Sequence, residues 1–217
     1  YKRQELFRPY AEAGREIVCF SISAGMSTSG NVMRLAAEEL GASDRIKVID
    51  SANLSTGIGL LVIEAAIMAK NNRTASQIVS EIEKLKPNVR ASFVVDTLTY
   101  LYRGGRCNAV AAMAGGVLKL HPRIVVENGA MNASKKYRGK IDSVIMDYVK
   151  DMEKDLKKAR PERVFITHSG CEQETVEKVR AYLKELDIFD EILETRAGGV
   201  VSSHCGPGTL GVLYIAK

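Results

Sequence analysis

The sequence predicts an α/β protein with largely parallel sheets flanked by helices. Three observations lead there. Short apolar runs with β-branched residues, such as "REIVCFSIS" (15–23) and "RIKVID" (45–50), alternate with stretches of helical spacing. The connections between them are short and rich in Ser, Thr and Gly. The chain has 217 residues, enough for one large or two small domains with a real core, and no apolar run approaches the length of a membrane span.

The elements follow in order. The opening "YKRQELFRPYAEAG" is polar and helical in pattern, so it does not read as a signal peptide. It lacks a starting Met and begins as if inside a helix, so upstream residues are expected to be missing. After the strand at 15–23, a helix is expected over 28–41, with spacing at Val32, Leu35, Ala36 and Leu40 and a stop at Gly41. The strand at 45–50 leads into a long apolar helix over 54–71. An amphipathic helix over 74–87 follows, with Thr74 as its N-cap. This polar helix is the expected junction between two lobes, 1–73 and 74–217. Beyond it come a strand at 89–96, a Gly pair that breaks "TLTYLYRGGR", a small-residue helix at 108–120 and a strand at 122–129. A long amphipathic helix is expected over 140–159. A β-α-β unit follows at 163–170, 174–186 and 189–198, then the final strand "LGVLYIA".

Charge and cysteines narrow the function classes. The net charge of +5 is modest, and basic residues are interleaved with acids. There is no dense basic run, no Trp and no aromatic motif of the RNA-binding kind, so nucleic acid is not expected as a partner. A DNA-binding regulator would rest on the mild positive charge alone. Cys19, Cys107, Cys171 and Cys205 form no CxxC pair, which suits reduced thiols in a cytoplasm. His121, His168 and His204 are far apart, so no metal site is expected.

Three loops carry chemistry, since ligands in α/β folds collect where loops leave the carboxyl ends of strands. "SISAGMSTSGN" (21–31) brings hydroxyls and flexible backbone to a helix N-terminus, which favours an anion. It has neither the Lys of a P-loop nor G-x-G-x-x-G. Hydroxyls without a cation suit a single carboxylate. Ser23, Gly25, Thr28 and Ser29 accompany Ser27 there, and N-capping by Ser27, Thr28 or Ser29 is the structural alternative. In "VIDSANLSTGIGLL" (48–61), Asp50 and Ser51 belong either to a turn or to a catalytic site, and Ser55 is the expected helix cap. Gly57 and Gly59 cost about 1 kcal/mol each inside a helix, so a backbone or ligand is expected to approach them closely. In "SSHCGPGTLGVLYIA" (202–216), His204 stands beside Cys205. In an extended segment their side chains point to opposite sides, which argues against a Cys–His nucleophilic pair. Gly206-Pro207-Gly208 reads as a rigid turn that presents His204 at a loop end. There it either donates to a carboxylate or bonds nearby backbone.

These loops, together with "FVVDTLTYLYRGGRCN" (93–108), "GGVLKLHPRIVVENG" (115–129) and "THSGCEQETVEKV" (167–179), resemble the DegV family of bacterial lipid-binding proteins over nearly the whole chain. The resemblance implies two α/β lobes with one fatty acid in a tunnel between them; residues 1–73 are then the remainder of the N-terminal lobe. It implies a cytoplasmic carrier rather than an enzyme, with a long-chain fatty acid as ligand and no cofactor. The carrier would present the carboxylate to a separate fatty acid kinase. ATP-dependent phosphorylation would give an acyl-phosphate for phospholipid synthesis, with transient contact at the membrane surface. Ser27 and His204 match the family's carboxylate-binding residues. A third contact comes from a Thr/Ser loop upstream of the matched region. Arg103 and Arg106 match an Arg-Gly-Gly-Arg motif of structural or partner-facing role. Arg123, a further candidate for that structural or partner-facing role, follows His121-Pro122, where the family often has Lys-Pro. Thr28-Ser29-Gly30 replaces the family's Gly-Thr-Tyr. The competing reading is a small hydrolase or transferase with Ser27 or Cys205 as nucleophile, and it lacks an evident base.

Overall fold

A computed structural model describes residues 2–105 and 120–217. The chain divides into two compact units, Tyr1–Pro87 with Asn128–Ala130, and Asn88–Glu127 with Met131–Lys217. The division falls after the amphipathic helix and not before it, as the 73/74 junction expected. That helix packs on the first unit's elements, as its apolar stripe requires.

The first unit runs α1 (Lys2–Glu12), β1 (Ile17–Ser21), α2 (Ser29–Glu39), β2 (Ile46–Asp50), α3 (Ser55–Lys70) and α4 (Ala75–Leu85). Strands β1 and β2 pair in parallel, from Ile17 opposite Ile46 to Ser21 opposite Asp50. Helix α2 buries Met33, Ala36 and Ala37 in a small core with Phe7, Ala11 and Ile46. Val32 and Leu35, expected on its apolar face, are half exposed. Helix α4 starts at Thr74, whose side chain accepts from the Gln77 N–H while the Gln77 side chain accepts from the Thr74 N–H, a reciprocal cap. A Cβ on Gly57 of α3 would come 2.7 Å from Cγ of Asn53, so the close approach expected there is made by a side chain of the same loop. Among the described residues, the nearest side chain to a Cβ on Gly59 would be Thr56, at 3.9 Å.

The second unit contains β3 (Val89–Val94), α5 (Thr99–Arg103), β4 (Leu120–Glu127), β5 (Ala130–Arg138), α6 (Ile141–Asp151), α7 (Glu153–Leu156), β6 (Ala159–Ser169), α8 (Gln173–Glu185), β7 (Glu191–Arg196), α9 (Gly199–Cys205) and β8 (Thr209–Ala216). Its six-stranded sheet has the order β5-β4-β3-β8-β6-β7. The helix-flanked α/β class holds, but this sheet corrects the expectation of largely parallel pairing. β3 pairs antiparallel with β4 and with β8, and β6 pairs antiparallel with β8. Within this sheet, only β6 and β7, joined by the crossover helix α8, pair in parallel among the pairings described. A crossover helix forces parallel pairing only when the strands it joins are neighbours. Here the C-terminal strand β8 inserts between β3 and β6, and all eight of its residues are buried.

Two element predictions change. The helix expected over 140–159 breaks at Met152 into α6 and α7, and Ala159 already belongs to β6. Strand β5 was not anticipated. It follows β4 through Asn128 (φ 52) and Gly129 (φ 76), a two-residue Asn-Gly turn with both residues left-handed. The core of this unit centres on Tyr148, Ile145, Leu156, Ile166, Leu183 and Leu210. The Tyr148 hydroxyl donates to Ser92 O at 2.7 Å and accepts from the Val212 N–H at 3.1 Å. The helix expected at 108–120, with Arg106 and Cys107, lies almost wholly outside the described residues.

Candidate functional site

The first loop leaves β1 at the buried Ser21. Much of its polarity is spent on its own shape. The Ser23 hydroxyl donates to Gly129 O at 2.6 Å and accepts from the Gly25 N–H at 3.2 Å, while Ser23 O accepts from the N–H groups of Met26 and Ser27. A Cβ on Gly25 would come 2.9 Å from Gly129 O, so that position is closed to larger residues. Asp50 accepts from the Ala24 and Ala52 N–H groups and so acts as a turn former.

Ser27 is placed differently. Its Oγ lies 2.8 Å from Ser29 Oγ and accepts from the Ser29 N–H at 3.2 Å. Two hydroxyls therefore stand together at the first turn of the eleven-residue helix α2. Thr28 occupies the N-cap position, but its side chain makes no capping bond. The N–H groups at a helix N-terminus and the helix dipole favour a negative charge. The second unit repeats the arrangement: Thr97 Oγ1 lies 2.8 Å from Thr99 Oγ1 and accepts from the Thr99 N–H at 3.2 Å, at the start of α5. The sequence reading missed this pair. Its signal is the matching hydroxyl-x-hydroxyl pattern before each helix, "STS" at 27–29 and "TLT" at 97–99.

His204 corrects the sequence reading of its segment. It lies in the last turn of the short helix α9 and not in an extended stretch. Adjacent helical positions are about 100° apart, so His204 and Cys205 still do not face one another. The helix ends at Gly206, whose φ of 80° is the left-handed conformation a C-terminal glycine supplies. Cys205 is buried, and that burial pushes its thiol up to about 11. At neutral pH it is a thiol, not a thiolate nucleophile. The His204 ring lies against Gly104, and its buried Nδ1 has no hydrogen-bond partner among the described residues.

The other candidates spread over the second unit. Arg103 is exposed at the end of α5. Arg123 is half-buried, 5.6 Å from the Tyr148 ring centroid, with Nη2 3.5 Å from Ser92 Oγ. There its guanidinium packs over a core ring of the second unit. His121 lies between Asp96 Oδ1 at 3.4 Å and Gly139 O at 3.0 Å, and His168 lies 3.4 Å from Glu194 Oε1. Among the described residues, no three His, Cys, Asp or Glu gather as a metal site would require, and no helix is long and apolar enough to cross a membrane. In the first unit, Ala65, Ala66 and Ala69 of α3 face a groove of about 360 Å³ with Val18, Phe20 and Val62. The structure thus brings Ser27 together with Ser23, Gly25, Thr28 and Ser29 in one unit. His204, Arg103 and Arg123 lie in the other.

These features define a helix-flanked, mixed-sheet α/β protein whose hydroxyls gather where strands give way to helices. The chain belongs to the DegV family: the family model, described as uncharacterised protein of the DegV family, matches residues 2–217. A DegV domain-containing protein of Deinococcus radiodurans is 32% identical over 212 residues, covering 96% of this chain and 74% of that protein. A DegV family protein from Thermus thermophilus, described for its fatty acid binding, superposes with a TM-score of 0.88 at 25% identity, covering 99% of this chain and 76% of that one. The Streptococcus pneumoniae Fatty Acid Kinase (Fak) B3 protein, loaded with linoleic acid, shares the fold with a TM-score of 0.83 at 19% identity, covering 99% and 76%. Fatty acid binding is thus described for a neighbour of this fold at 25% identity.

Proposed function

We propose that this chain is a fatty-acid carrier: it holds one long-chain fatty acid and presents the carboxylate to a separate fatty acid kinase. Phosphorylation there yields an acyl-phosphate for phospholipid synthesis in the cytoplasm. The observation that carries the reading is the match to DegV proteins along residues 2–217, joined to fatty acid binding by the Thermus thermophilus neighbour. The kinase role is supported by the name of the Streptococcus pneumoniae neighbour and by the resemblance of the loop motifs.

In this reading Ser27 and His204 each donate to the carboxylate. An ionised carboxylate removed from water without partners is costly, and charge-assisted hydrogen bonds with a helix N-terminus offset that cost. The acyl tail contributes about 0.8 kcal/mol per buried CH₂, so affinity comes from the tail and orientation from the head group. Arg103 and Arg106 are candidates for the surface that meets the kinase. The hydrolase alternative gains no support at Cys205, a buried thiol, or at Ser27, whose hydroxyl bonds the hydroxyl and N–H of Ser29. The test is mass spectrometry of lipid extracted from the purified protein after supply of fatty acids. One fatty acid per chain is expected, and a protein that stays lipid-free contradicts the reading.

A further inference from the structure

We propose that Gly104 is a positioning residue for His204, and that Nε2 is the ring nitrogen that meets the ligand. The proposal rests on the reading of His204 as a carboxylate donor and gives the "YLYRGG" and "HCGPG" motifs a joint role. Helix α5 ends at Gly104 and helix α9 at Gly206. A Cβ on Gly104 would come 2.6 Å from Cε1 and 3.2 Å from Cγ of His204, with Nδ1 nearer still. A Cβ on Gly206 would come 2.6 Å from Cε2 and 2.9 Å from Cγ of Tyr100. Each helix end thus seats an aromatic ring from the other segment on a bare glycine. At Gly206 the φ of 80° adds a backbone reason for glycine. At Gly104 no positive φ requires it, so the His204 ring is what the missing side chain makes room for.

The second observation is the buried Nδ1 of His204, which has no hydrogen-bond partner among the described residues. No bond at that nitrogen orients the ring; packing on Gly104 does. An unsatisfied buried acceptor is better tolerated than an orphaned N–H, so the neutral ring carries its proton on Nε2. That nitrogen then donates to the carboxylate, and the ring needs no rotation on binding.

Two measurements test this. In the wild-type protein, ¹⁵N spectra of the His204 ring should show an unprotonated Nδ1 and a protonated Nε2; the opposite tautomer overturns the proposal. In the second, [1-¹³C]stearate reports the head group in Gly104→Ala, His204→Ala and the double variant. Gly104→Ala should fold, move the carboxyl resonance as His204→Ala does, and lower kinase-dependent phosphorylation of the bound acid about tenfold or more. The double variant should be no worse than His204→Ala. A folded Gly104→Ala with wild-type carboxyl resonance, or losses that multiply in the double variant, overturns the proposal. A His204→Ala protein with unchanged resonance and turnover instead overturns the head-group reading beneath it.

Discussion

Cys205 offers a quantitative test that separates a carrier from a thiol enzyme. Burial alone pushes its thiol from an ordinary 9.0 up to about 11. At pH 7 the thiolate fraction falls from about one in a hundred to about one in ten thousand, because each unit is a factor of ten. Alkylation proceeds through the thiolate. Iodoacetamide should therefore modify Cys205 at least about a hundredfold more slowly than an exposed thiol at pH 7, and its limited exposure slows the reaction further. The rate should climb about tenfold per pH unit between pH 7 and 9 without levelling off. Site-resolved mass spectrometry of a labelling time course reads both quantities. Labelling of Cys205 at the rate of a free thiol at pH 7, or a plateau below pH 9, refutes the reasoning and restores Cys205 as a nucleophile. Cys205→Ser should leave lipid binding intact.

Further perturbations reach other parts of the account. Ser27→Ala and His204→Ala should each weaken kinase-dependent phosphorylation about ten- to a hundredfold, the worth of one hydrogen bond to a charged group, with the fold retained by circular dichroism; unchanged turnover in both contradicts their assignment. Thr74→Ala removes the reciprocal cap of α4 and should cost about 1 kcal/mol, lowering Tm by about 2–4 °C; an unchanged Tm contradicts it. Burial works to raise the Asp151 carboxyl, but hydrogen bonds from Lys135 and Tyr137 outweigh it and hold the group below its ordinary value. The stability it contributes is present above the ordinary carboxylate range and is lost as pH falls through the lowered value. Asp151 is substantially exposed, so Tyr137→Phe should cost only about 1 kcal/mol at pH 7. That cost should shrink as the carboxylate protonates. A difference in denaturant midpoint that stays constant down to pH 3 refutes this.

The helix-flanked α/β architecture was legible because β-branched runs and 3.6-residue periodicity are local signals. β1, β2, α3 and the Thr74 cap follow from them. Strand direction was not local: β8 reads as any terminal strand, and its place between β3 and β6 depends on residues roughly fifty positions away in β6 and over a hundred away in β3. β5 was missed because "AMNASKKYR" is polar, as an edge strand should be, although Asn128-Gly129 before it is a strong hairpin signal. At the site, the hydroxyl-rich loop and His204 were visible as residue types in a suggestive order. What escaped was geometry: which hydroxyls the fold consumes, the helical setting of His204, the Thr97–Thr99 pair and the glycine beneath the imidazole. Each depends on segments that meet only in three dimensions.

The central claim is that Ser27 and His204 hold the carboxylate of a bound fatty acid. A crystal structure of the protein supplied with stearate tests it most directly. The account predicts an elongated apolar ligand whose carboxylate oxygens lie within hydrogen-bond distance of Ser27 Oγ and His204 Nε2. A bound acid whose carboxylate contacts neither residue would contradict it.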